Sequence, residues 1–169
     1  MPRGIRVLPG LIAVVGVCSW TFHMAATAPT AALDSLSILV FILVAVTVLV
    51  HWRWGIRWAL AWLAAPGFVV FAAVVDLALF AGAGSTLGGY LPALLALVGF
   101  GVAARGATGR VLLSAAGVFA VSLTLRTVDG PLCGSVPVGT HFLWHCLNAV
   151  VLFLVGYAAL LSVPARAGR

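Results

Sequence analysis

Long apolar stretches alternate with short clusters of arginine, glycine and other polar residues along this chain. The apolar runs cover about 8–26, 33–50, 58–81, 87–104, 111–125 and 139–162. Most approach the ~20 residues a helix needs to cross ~30 Å of hydrocarbon, although the second, fourth and fifth are on the short side. Helix is the expected form, because a backbone in lipid must satisfy its own polar groups. Little chain is left between the runs, so the pattern predicts one domain over 1–169, with short loops, no linker and no repeat. The fold class it predicts is all-α: a polytopic membrane protein of six transmembrane helices. Pro66-Gly67 predicts a kink in the third of them.

Composition strengthens this picture. The chain is 64% hydrophobic and 7% charged, which excludes an ordinary soluble domain. Its net charge of +6 is carried by arginine alone. So basic a chain would suit nucleic acid, but the arginines are placed otherwise. Arg3 and Arg6 precede the first run, Arg53 and Arg57 separate the second from the third, Arg105 and Arg110 the fourth from the fifth, and Arg166 and Arg169 follow the sixth. Only Arg126 falls at an opposite end. The positive-inside rule makes the arginine-rich face cytoplasmic, so both termini are expected inside, Gly84 outside and Gly106 inside. Trp52, Trp54, Trp58 and Trp62 form an interfacial belt on the inner side, with His51 beside them. Residues 1–32 mimic a signal peptide; because cleavage would also discard His23, they are expected to stay as a helix. Cys18, Cys133 and Cys146 have no metal-type spacing.

Against this background the polar residues within the apolar runs stand out. Ionisable groups inside a membrane are costly and usually functional. His141 and His145 open the last run four residues apart, on one helix face, where both rings can reach one metal ion. His23 lies near the outer end of the first run, with Ser19 one turn deeper on the same face. Asp34 begins the second run, also at its outer end. Three helices thus bring five polar side chains to one depth, in the outer third of the membrane. Taken singly, each has a plainer role: a helix–helix hydrogen bond for a histidine, a backbone-bonded hydroxyl for Ser19, an N-cap for Asp34. Taken together, three imidazoles predict a zinc ion with one open coordination position, the arrangement of a catalytic site. Asp76, in the third run, needs a partner, a proton or a wet cavity. Arg126 and Asp129 have the i,i+3 spacing of a helical ion pair.

In order and spacing these residues resemble the alkaline ceramidases and the wider CREST superfamily of membrane hydrolases. That family carries a serine, a histidine four residues later and an aspartate eleven beyond, here Ser19, His23 and Asp34. A late H-x-x-x-H follows with tryptophan before its second histidine, here His141, Trp144 and His145. Asp129 and Cys133 loosely match an Asp and a Cys that precede the pair in the ceramidase group. The resemblance implies a helix bundle like the seven-helix ceramidase fold but without its first helix. It also implies no calcium, since the acidic N-terminal calcium site of some members has no counterpart. The implied substrate is ceramide or a related N-acyl membrane lipid.

The resulting expectation is a zinc-dependent lipid amidase in the cell membrane, its site towards the outer leaflet. His23, His141 and His145 are the expected metal ligands, Asp34 the general base, and Ser19 an oxyanion donor. Two other classes fit parts of the pattern. A bis-histidine haem electron carrier would use His23 with His141 or His145, yet needs only one ligand per helix. A non-catalytic, lipid-binding receptor-like protein on the same scaffold would have no use for Asp34.

Overall fold

Helix is the only regular structure among the described residues, which in this computed structural model are 3–80, 89–132, 134 and 139–164. Gly84, Cys133, Arg166 and Arg169 lie outside the described residues. Seven helices follow in order: α1 (Arg3–Ala25), α2 (Ala28–Trp54), α3 (Trp58–Ala61), α4 (Ala64–Phe80), α5 (Leu91–Ala104), α6 (Gly106–Leu132) and α7 (His141–Leu161). Five stretches are long and apolar enough to cross a membrane: Gly4–Ala25, Ala28–Trp54, Trp58–Ala78, Gly106–Leu132 and His141–Leu161. The protein is thus an all-helical integral membrane protein. The surface supports this assignment, with Val17, Trp20, Leu63, Val70, Leu77, Val102 and Phe153 all more than 60% exposed. In water so many large apolar side chains would be a liability; in lipid they are the solvated face.

The chain divides into two compact units, residues 3–68 with 159–164 and the described residues of 69–158. In the first, α1 pairs with α2 through a tight turn at Ala26, whose φ is 48°. Thr27 caps α2 reciprocally with Thr30: each side-chain oxygen accepts the other residue's backbone N–H, at 3.4 and 3.1 Å. Pro29 follows in the first turn, where its missing N–H costs nothing. Because this cap sits at Thr27, α2 starts well before the apolar run does, and Asp34 lies in the second turn of the helix instead of capping it. At the other end of α2, His51 Nδ1–H donates to the Ile56 carbonyl (2.7 Å) and the ring stacks on Trp58 at 3.9 Å. His51 therefore has a structural place among the tryptophans.

The break in the third run comes four residues before Pro66, at Trp62–Leu63. Pro66 has no N–H to return to the Trp62 carbonyl, and its ring crowds that carbonyl, so the helix ends and restarts there. The proline then occupies the first turn of α4.

In the second unit, α5 and α6 form a hairpin whose backbones touch. A Cβ added at Gly109 would lie 2.5 Å from the Gly101 carbonyl oxygen, and one at Gly101 would meet Leu113 at 2.8 Å. Small residues at such a crossing permit the close packing that joins helices in lipid, where apolar burial gives no drive. Gly109→Ala is expected to destabilise the protein by about 1–3 kcal/mol, the usual cost of overpacking. Thermal unfolding in detergent checks this, with Gly117→Ala as the control, since nothing lies within 4 Å of that position.

Candidate functional site

The first unit carries Ser19, His23 and Asp34. Ser19 and His23 are four residues apart on α1, and α2 lies alongside. Asp34 is 8% exposed, and its carboxylate accepts a hydrogen bond from the Ser19 hydroxyl and lies within electrostatic reach of the His23 ring. Its Oδ1 is buried with no hydrogen-bond partner among the described residues. Leaving a buried polar atom unpaired costs roughly 1–3 kcal/mol, and more for a charged group. Folding alone would favour an apolar residue here. Ser37, one turn on, returns its own hydroxyl to the Asp34 carbonyl (2.7 Å) and leaves the carboxylate alone. The His23 ring is exposed and tilts against Phe22, with centroids 5.3 Å apart. These three residues place an acceptor with open lone pairs beside an imidazole and a hydroxyl.

The second unit carries His141 and His145. Their ring centroids are 4.9 Å apart at the start of α7, as the i,i+4 spacing predicts, and both are half-buried. Trp144 packs edge-on against His145 (4.4 Å) and tilts against His141 (5.2 Å). It is 4% exposed, and its indole N–H is buried without a partner among the described residues. The Trp144 ring also belongs to a second cluster. The Arg126 guanidinium lies 5.4 Å from it and 5.0 Å from the Tyr90 ring, and Tyr90 meets Trp144 edge-on. Arg126 thus turns to aromatic faces, a favourable arrangement for a planar cation. Asp129 turns instead to the start of α7, where its Oδ1 accepts the backbone N–H groups of Thr140 (2.5 Å) and His141 (2.9 Å).

Deeper along α7 a polar contact replaces what would otherwise be an apolar seam. The buried Ser122 hydroxyl on α6 lies 3.1 Å from the Trp144 carbonyl and 3.0 Å from Asn148 Oδ1. Tyr90, Ser122, Thr140 and Asn148 carried no signal in the sequence. Hydroxyls and amides are common in helices, and only the pairing of α6 with α7 gives these ones partners. Asp76, by contrast, is exposed on α4. No family model, no curated protein and no solved structure matches this chain.

Proposed function

We propose that the protein is a zinc-dependent intramembrane lipid hydrolase, resembling the alkaline ceramidases, that cleaves the amide of ceramide or a related N-acyl lipid. The observation that carries this reading is Asp34: a buried carboxylate, steadied by Ser19, with Oδ1 left unpaired beside an imidazole. The donor set supports the metal. The proposed ligands are His23 and the pair His141 and His145, whose ring centroids lie 4.9 Å apart. Three neutral imidazoles without a thiolate suit zinc, and match the histidine-rich donor sets of catalytic zinc. Zinc bound there would supply Lewis acidity and make a water acidic enough to ionise near neutral pH.

The protein's own groups then divide the work. Asp34 takes the proton from the attacking water at Oδ1 and returns it to the leaving amine. Ser19 has one hydroxyl proton. While it donates to Asp34 it fixes the direction of the base; once Asp34 is protonated, the hydroxyl is released to donate to the oxyanion. The products are a fatty acid and an amine base, as in sphingolipid breakdown. Incubating purified protein with ceramides and other N-acyl lipids, and measuring released fatty acid, tests the reading. No release from any amide lipid by zinc-loaded protein would sink it.

The arginine distribution gives the sidedness: six crossings, both termini in the cytoplasm and the chemistry in the outer leaflet of the cell membrane. Outer-leaflet lipids are then substrates without flipping. The ends of α2 provide the test, since 27 residues of helix span about 40 Å at 1.5 Å per residue. In a chain without native cysteines, Ala28→Cys is expected to react with an impermeant maleimide on intact cells, and Ile56→Cys only after lysis. The opposite pattern would move the chemistry to the cytoplasmic leaflet.

A further inference from the structure

We infer that Asp129 is a positioning residue: from α6 it fixes the start of α7, and with it the placement of His141 and His145. The inference rests on the proposal that these histidines hold zinc. The first N–H groups of a helix have no partner within it, and a residue immediately before the helix usually supplies one. Thr140 is that residue here and is of a suitable type. Its hydroxyl instead reaches back to the Leu125 carbonyl on α6, at 2.6 Å. The cap comes from Asp129, eleven and twelve residues upstream, whose Oδ1 accepts from the Thr140 and His141 amides. The Thr140 hydroxyl also lies 3.3 Å from this oxygen, a longer contact than the one to Leu125.

Both bonds therefore tie α7 to α6, which a local cap would not do. A helix fixed at its first residue to a neighbour can neither slide nor rotate at that end. His141 is that first residue, and His145 follows one turn later. The anionic cap also sits at the positive end of the helix.

Gly139 provides an independent indication that the chain is shaped for this contact. Its φ is +69°, and a Cβ there would stand 2.7 Å from Asp129 Oδ1. A side chain at 139 would displace the carboxylate from the two amides. Ser122, bonded to the Trp144 carbonyl, holds the next turn of α7.

The full chain, stripped of metal by chelation, is titrated with Zn²⁺ against a chromophoric competitor and separately with Co²⁺, whose visible bands report ligand geometry. Asp129→Ala is expected to keep its helical circular dichroism, to lose about 10- to 100-fold in zinc affinity and to shift the cobalt bands. Asp129→Asn retains an acceptor oxygen, so its affinity should return to within a few-fold of native, which a charge effect alone would not produce. Gly139→Ala should weaken binding in the same direction. A folded Asp129→Ala chain with native affinity and native cobalt bands would overturn the inference. If that variant does not fold, native values in Gly139→Ala would overturn it. Wild-type protein that binds neither ion would remove the zinc proposal itself, an outcome distinct from native binding by the variants.

Discussion

A chain carrying His141→Ala, His145→Ala or His23→Ala is expected to purify without zinc, whereas the native chain retains one ion. Catalytic zinc is held by three protein ligands, so the loss of any one imidazole would leave too few donors. Metal analysis of the detergent-solubilised protein is the measurement, and fatty-acid release should fall to background with the metal. The native protein should be colourless. A Soret band would instead favour a haem bound by His23 and one α7 histidine, while a wild type without any transition metal after metal-supplemented expression would defeat the site altogether.

Asp34→Asn should separate binding from chemistry. Asparagine has the same shape and can still receive the Ser19 hydroxyl, so zinc should remain at one equivalent. It cannot take a proton from water, so turnover is expected to fall by about 10²- to 10⁴-fold, the usual contribution of a positioned acid–base group. Ser19→Ala should also keep zinc and lose less, because it removes a donor and a guide but leaves the base. If Asp34→Asn empties the site while helical content is unchanged, the carboxylate is a ligand or an anchor for one, and the role assigned to it is wrong.

Hydropathy made the helices themselves legible, because a spanning helix must be apolar along its length. Their ends were much less so. The fifth run reads as 111–125, yet α6 extends from Gly106 to Leu132. The additional turns contain Thr108, Arg110, Arg126 and Asp129, which suit an interface and dilute the apolar signal. At α2 the capping pattern Thr27-Ala28-Pro29-Thr30 decides the start, five residues before the apolar run. Within the candidate site, spacing was enough for pairs on one helix: Ser19 with His23, and His141 with His145. The unpaired Oδ1 of Asp34 was not legible, since it depends on which neighbours fail to reach it. Nor was the destination of Asp129. Local spacing pointed only to Arg126, and the two amides at the start of α7, eleven and twelve residues on, lie beyond its reach. Such caps between helices have no signature in sequence.

The 14 residues of α5, Leu91–Ala104, rise about 21 Å at 1.5 Å per residue. Ordinary hydrocarbon is about 30 Å thick, so α5 cannot bridge it unaided. Its close backbone contact with the longer α6 prevents it from simply floating to one surface. If α5 makes the sixth crossing proposed above, the lipid beside this hairpin must thin, or admit headgroups and water to reach the ends of α5, at a cost of fractions of a kcal/mol per Å of mismatch. Membrane thickness thereby becomes a variable of the protein's own energetics, and an annulus of compressed, partly hydrated lipid would travel with it.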